Sequence, residues 1–147
     1  MSQIVKKACL SLMTLILLST AAMAGGNGGK SVKTSGFDWN PVMDAIIQVE
    51  SEGNPRAVSG NSVGVMQITP ILVEDCNQIL KRQKSKKRYT LADRYSVEKS
   101  KEMFLLIQKY YNPTNSIEKA IRSWNGGVNY SVRATNRYFQ KVMNILK

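Results

Sequence analysis

Val49-Glu50-Ser51-Glu52-Gly53-Asn54-Pro55 closes one element, and Gly64-Val65-Met66-Gln67-Ile68-Thr69-Pro70 leads into the next. The first block is the end of a helix. Its start is marked by Asn40, a good N-cap residue, and by Pro41, whose missing N–H costs nothing in the first turn. Gly53 followed by Pro55 stops it. Between these signals Val42, Ala45, Ile46 and Val49 recur at i, i+3, i+4, i+7, and Met43 and Ile47 widen the apolar arc. At about 100° per residue, Glu50 projects into that arc beside Met43 and Ile46. Asp44, Gln48 and Ser51 fall on the opposite side, and Glu52 lands at the polar edge, facing water. Ser51 is expected to serve the helix end.

A carboxylate on an apolar arc at a helix C-terminus is disfavoured twice. Desolvation opposes its charge, and so does the negative end of the helix dipole. Both push its pKa upward, toward the range a general acid needs. From the residues alone three roles stand open for Glu50: that acid, a carboxylate that snorkels to solvent, or a structural ion pair with one of the chain's many basic groups.

The chain has 147 residues. Lys6 and Lys7, the apolar run Ala8 to Thr20, and Ala22-Met23-Ala24 compose a signal peptide over 1–24, with cleavage expected after Ala24. The apolar run is short for a membrane span. Cys9 lies at its start, away from the cleavage site, so no lipoprotein anchor is expected. Export to the periplasm or cell envelope follows. Residues 25–37, rich in Gly, Ser and Lys, read as a flexible leader, and 38–147 as one domain with one modest core.

The whole sequence carries 21 Lys and Arg against 10 Asp and Glu. Without Lys6 and Lys7 the balance is +9. A basic exported chain suits an anionic envelope polymer, and export argues against nucleic acid. The run Lys81, Arg82, Lys84, Lys86, Lys87 and Arg88 either docks such a polymer or is a solvated loop. No histidine is present. That removes Ser–His, Cys–His and His-ligated metal chemistry, and no metal or cofactor is expected. Cys76, alone after the leader, shares a helical face with Leu72, Ile79 and Leu80 and reads as a buried structural thiol.

Further helices follow the same punctuation. Thr69 caps one that starts at Pro70 and runs to about Arg82. Tyr89 to Tyr95 has no clear pattern. Ser96 caps another, with Val97, Ser100, Phe104, Ile107 and Tyr111 inward. Ser116 begins a fourth with Ile117, Ala120, Ile121 and Trp124 inward, stopped at Asn125-Gly126-Gly127. A last one starts near Ser131, with Thr135, Tyr138, Phe139, Val142 and Leu146 inward. The expected fold is mainly α, about five helices around one core with little or no sheet, apart from a short hairpin after Glu50. The cleft should lie at the end of the first helix.

Glu50-Ser51, Asn54-Pro55, Ala57, Ser59, Gly64, Met66-Gln67 and Pro70 closely resemble the first signature of lytic transglycosylases of the soluble-lytic-transglycosylase (SLT) type, which have a lysozyme-like fold. Trp124-Asn125-Gly126-Gly127 resembles the second signature, in which aromatic-Asn-Ala-Gly is usual. Tyr138 followed by Val142 resembles a third. The match runs from Pro41 to about Met143. The Lys81 to Arg88 insertion and Ser96-Val97, where Asn and an aliphatic residue are common, depart from the pattern.

The resemblance implies cleavage of the MurNAc–GlcNAc bond of peptidoglycan without added water. Glu50 would serve as acid and then as base, closing a 1,6-anhydro ring. It implies that Ser59, Met66, Gln67, Trp124, Asn125 and Tyr138 lie at the substrate or the catalytic carboxyl. Five of them also have a structural reading: Met66, Trp124 and Tyr138 as core, Gln67 as a satisfied core amide, Asn125 as a helix terminus. Typical glycosidases need two carboxylates, and here Glu74, Asp75 and Asp93 offer no clear second. A lysozyme-like hydrolase and a non-catalytic, cationic wall-binding protein are the alternatives. A monomer is expected.

Overall fold

The computed structural model describes residues 36–147; the stretch 1–24, expected to be a signal peptide, and nearly all of the expected leader fall outside them. The order is α1 (Asn40–Ser51), β1 (Val58–Ser59), β2 (Ser62–Val63), α2 (Pro70–Arg82), a 3-10 turn (Leu91–Tyr95), α3 (Val97–Tyr111), α4 (Ile117–Gly126) and α5 (Val132–Leu146). The mainly helical expectation holds, and the hairpin after Glu50 is present. Val58 pairs with Val63 and Ser59 with Ser62, antiparallel.

Side-chain caps form at four helices, at the expected caps Thr69 and Ser96 and at the expected starts Ser116 and Ser131. Thr69, Ser96, Ser116 and Ser131 each accept a hydrogen bond from the backbone N–H three residues on, at Leu72, Lys99, Lys119 and Ala134. At α1 the expectation is off by one residue. Trp39 occupies the cap position without a side-chain bond, and Asp38 Oδ1 accepts from the Asn40 N–H at 3.0 Å instead. A carboxylate at this end also meets the positive pole of the helix. The stop is likewise shifted. Glu52 already adopts the left-handed conformation, with φ of 53°. The stretch from Tyr89 to Tyr95, without a readable period, is organised by a capping box in which Thr90 and Asp93 bond each other's backbone N–H.

The core gathers the buried faces of all five helices and the loop before α2. Val42, Met43, Ala45 and Ile46 of α1 meet Val73, Cys76, Ile79 and Leu80 of α2 and Met103 and Phe104 of α3 within one cluster. Each large side chain buried this way contributes about 1.5–3 kcal/mol. Rings connect the layers: Phe37 to Trp39 at 4.6 Å, Trp39 to Phe104 at 5.7 Å, and Phe104 to Trp124 at 5.2 Å. Phe37, placed in the leader by composition, is thus packed on the domain. Cys76 is fully buried, as expected. Burial, with Asp75 beside it, pushes its thiol up to about 12, so it is inert at neutral pH.

The inner stripes need three corrections. Val97 and Ile117 are exposed, because each stands first in its helix, beside the cap and away from the partner layer. Met103 and Gln108 take up the inner face of α3 that Val97 does not. Arg122 is buried. Its guanidinium donates to Glu118 Oε1 (2.7 Å), the Val132 carbonyl (3.0 Å) and Thr135 Oγ1 (3.2 Å), and lies 4.2 Å from the Phe139 ring. A buried charge survives only when its donors are met, and here the bonds lock α5 onto α4.

Gly126 explains one departure from the second signature. A Cβ there would lie 2.7 Å from Thr135 Cγ2 and 2.9 Å from Tyr130 Cβ. Thr135 cannot turn aside, because its hydroxyl donates to the Ser131 carbonyl at 2.8 Å while accepting from Arg122. Gly126→Ala gains about 1 kcal/mol of helix propensity, yet overpacking costs about 1–3 kcal/mol. Chemical denaturation is therefore expected to show net destabilisation, where the usual alanine would otherwise stabilise.

The basic run is exposed, and half of it is engaged within the domain. Arg82 donates to Tyr110 Oη at 3.2 Å, Lys87 pairs with Glu102, and Arg88 donates to the Ser85 and Lys87 carbonyls. Lys81, Lys84 and Lys86 form no ion pair among the described residues.

Candidate active site

Glu50 lies one residue from the end of α1 and is half-buried. Tyr138 on α5 donates its hydroxyl to Glu50 Oε1 at 2.7 Å. Burial holds the Glu50 carboxyl above its ordinary value, and the Tyr138 hydrogen bond pulls it partly back. Burial and the neighbouring Glu50 raise the Tyr138 phenol, so it stays a donor. Glu50 forms no ion pair among the described residues. The ion-pair reading is therefore not met, and the carboxyl is desolvated. Glu52 is exposed, as helical geometry predicts.

The hairpin and loop opposite are held by backbone and side-chain bonds. Gly64 N–H donates to the Ala57 carbonyl at 2.8 Å. Ser51 does not serve the helix end alone. Its hydroxyl reaches across to the Val65 carbonyl at 2.8 Å and ties the loop to α1. Trp124 Nε1 donates to the Met66 carbonyl at 3.1 Å, tying the same loop to α4. Arg94, from the 3-10 turn, donates to the carbonyls of Asn61 (2.9 Å) and Ile68 (3.2 Å).

Between these walls lies a cavity of about 240 Å³, lined by Glu50, Ser59, Ser62, Gln67, Thr69, Leu72, Trp124 and Asn125. Four of the six residues expected at the substrate, Ser59, Gln67, Trp124 and Asn125, share it with Glu50. Tyr138 reaches the site only through the Glu50 carboxyl. Met66 departs from the expectation: its side chain is fully buried, and the residue approaches the site only through the carbonyl that Trp124 holds. An unbranched apolar side chain gains more from the core than from a polar cleft.

Gln67 is the most constrained member. Its φ of 50° is left-handed, which costs about 1–2 kcal/mol for a residue with a Cβ. Its amide donates to the carbonyls of Ala57 (3.2 Å) and Gly64 (2.9 Å). Both donors are thereby spent, and the amide oxygen is the polar group left for a ligand.

Ser62, Thr69 and Leu72 also line the cavity, although no sequence motif marks them for it. Ser62 pairs directly across from Ser59, so a two-residue turn at Gly60-Asn61 would have placed it there. Thr69 carried a readable signal, the helix cap, that concealed the second role. Among the described residues, Glu50 is the one carboxylate lining this cavity. Glu74 is exposed, Asp93 is engaged in the capping box, and Asp75 lines an adjoining compartment, where it accepts from the Tyr111 hydroxyl.

A helical core, a two-stranded hairpin and one half-buried glutamate at the head of a polar cleft define a lysozyme-like domain. The family model for the transglycosylase SLT domain matches residues 30–145, and the chain belongs to that family. The match begins inside the stretch read as leader and contains every site residue named above. Members act on the glycan strands of peptidoglycan. No match was found among curated proteins or solved structures. No described helix is long and apolar enough to cross a membrane.

Proposed function

We propose that the protein is a peptidoglycan lytic transglycosylase that uses Glu50 as its one acid and base. The observation that carries this reading is the pairing of a desolvated glutamate with a cavity lining that holds no second carboxylate among the described residues. Retaining and inverting glycosidases place two carboxyl groups about the scissile bond. A single group suffices when the nucleophile belongs to the substrate.

In the first step Glu50 gives its proton to the glycosidic oxygen, and the bond from that oxygen to muramoyl C1 breaks. The resulting carboxylate is stabilised by the Tyr138 hydroxyl. In the second step Glu50 takes the proton of the muramoyl 6-hydroxyl as that oxygen bonds to C1. The 1,6-anhydro ring closes, Glu50 is protonated again, and no water is consumed. Ser59, Gln67, Trp124 and Asn125 bind and orient the sugars. Residues 1–24 act as the signal peptide, and the enzyme works as a monomer in the envelope.

Digestion of purified sacculi, with the soluble products identified by mass spectrometry, tests the reading. Anhydromuropeptides are expected. Release of reducing-end muropeptides alone would make the protein a hydrolase, and release of nothing would leave a wall-binding protein.

Tyr138→Phe gives a further expectation. Hydrogen bonds to charged groups are worth about 1.5–3 kcal/mol, so loss of this donor should lower kcat by about tenfold or more. The same bond lowers the Glu50 pKa, so its removal raises it. The alkaline limb of the pH–rate profile, where Glu50 loses its proton, should therefore move to higher pH. A purely structural tyrosine would lower stability without moving that limb.

A further inference from the structure

Beyond Trp124 and Asn125 a second compartment of about 290 Å³ adjoins the Glu50 cavity and shares Thr69, Leu72, Trp124 and Asn125 with it. The remaining wall is largely apolar, with Ile71, Ile107 and Val128, and contains one charged side chain, Asp75. Ile71 is 77% exposed and Val128 47%, so apolar surface stands open at this rim beside the proposed site.

Asp75 is half-buried on α2. Tyr111 of α3 donates its hydroxyl to Asp75 Oδ1 at 2.9 Å, which fixes the carboxylate and leaves Oδ2 without a hydrogen-bond partner among the described residues. Although basic residues outnumber acidic ones two to one in the sequence, none forms an ion pair with Asp75. Arg82 is near enough to feel its charge, yet it donates to Tyr110 Oη instead. A fixed, unpaired carboxylate within apolar walls suits a cation carried on an aliphatic chain. Ile71, Leu72 and Val128 offer apolar surface for the methylenes of such a chain, and Asp75 a counter-charge for its end.

We propose that this compartment binds a primary ammonium on an aliphatic chain. On the transglycosylase reading, on which this inference rests, that chain is the diamino acid side chain of a peptide stem on the glycan strand. Asp75 then sets substrate specificity and takes no part in the chemistry.

The test compares soluble glycan strands bearing stems with the same strands stripped of them, using wild type and Asp75→Asn. Asparagine keeps an oxygen for Tyr111 and removes the charge. The ratio of kcat/KM on stem-bearing to stripped strands is expected to fall by about tenfold in the variant, chiefly through KM. Acetylation of the stem amine should lower the wild-type ratio similarly and add little in Asp75→Asn. Equal losses on both strands would make Asp75 a mere tie between α2 and α3. Indifference of wild type to acetylation would also overturn the proposal. Preference for stripped strands with de-N-acetylated sugars would assign the ammonium to the sugar and overturn the stem assignment.

Failure of wild type to cleave either strand would count against the transglycosylase reading rather than this one. NMR titration of wild type with the free stem tetrapeptide and its N-acetylated form then decides. Tighter binding of the free amine, lost in Asp75→Asn, supports the proposal, and equal binding of the two peptides rejects it.

Discussion

Glu50→Gln is expected to abolish cleavage of sacculi while leaving the fold intact. Removal of a positioned general acid or base costs about 10²–10⁴ in rate, and here one group serves both steps, so the loss should lie at the upper end. Glutamine still offers an oxygen to the Tyr138 hydroxyl, so the local contact survives. The substitution should also stabilise the protein at neutral pH. The folded-state pKa of Glu50 lies above the ordinary 4.5 because burial penalises the charge. The folded state therefore holds the proton more tightly than the unfolded chain. Wild-type stability falls as pH rises from about 4.5 through the folded-state value, and the neutral amide escapes that loss. Denaturation of both proteins across pH should show the variant ahead at neutral pH and the advantage vanishing below about pH 4.5. Equal activity of variant and wild type would remove Glu50 from the mechanism. Equal stability at every pH would mean that the carboxyl is not desolvated.

Gly64→Ala is expected to be the most destabilising small substitution in the cleft wall. Gly64 has φ of 79°, and a Cβ there would lie 1.9 Å from the Arg94 carbonyl oxygen and 3.0 Å from its carbon. The obstacle is backbone, so no side-chain rotation relieves it. Either the hairpin or the 3-10 turn must move. Movement breaks the Arg94 bonds to Asn61 and Ile68 and disturbs the Gly64 carbonyl that Gln67 uses. Left-handed strain and the clash together should cost about 3 kcal/mol or more. For a domain of this size the fall in Tm is roughly 10–25 °C, measured by thermal denaturation, and the surviving folded fraction should cleave poorly because Gln67 is displaced. A variant as stable as wild type would mean that hairpin and turn do not approach as described.

These two positions also show what the sequence carries and what it withholds. Helix starts were readable because a Ser or Thr cap acts within four residues, and Thr69, Ser96, Ser116 and Ser131 all perform that act. Glu50 was readable because helical periodicity alone puts it on the apolar arc. Arg122 was not, because its burial depends on Val132 and Thr135, which belong to a different helix. The inward turn of Met66 depends on Trp124, distant in sequence, holding the loop by its carbonyl. Gly64 stood out as a motif residue, but the reason only glycine fits is the carbonyl of Arg94, thirty positions later. Asp75, which carries no local signal, owes its setting to Tyr111 and to the compartment wall. Local chemistry fixes elements, and long-range contact decides which side chains meet.

In the proposed reaction one carboxylate completes both steps and no water is consumed. Digestion of sacculi in water enriched in heavy oxygen, followed by mass spectrometry of the new muramoyl ends, tests it most directly. Anhydro ends lighter than reducing ends by one water and free of label are expected. Reducing ends carrying heavy oxygen at C1 would show that water is the nucleophile and would contradict it.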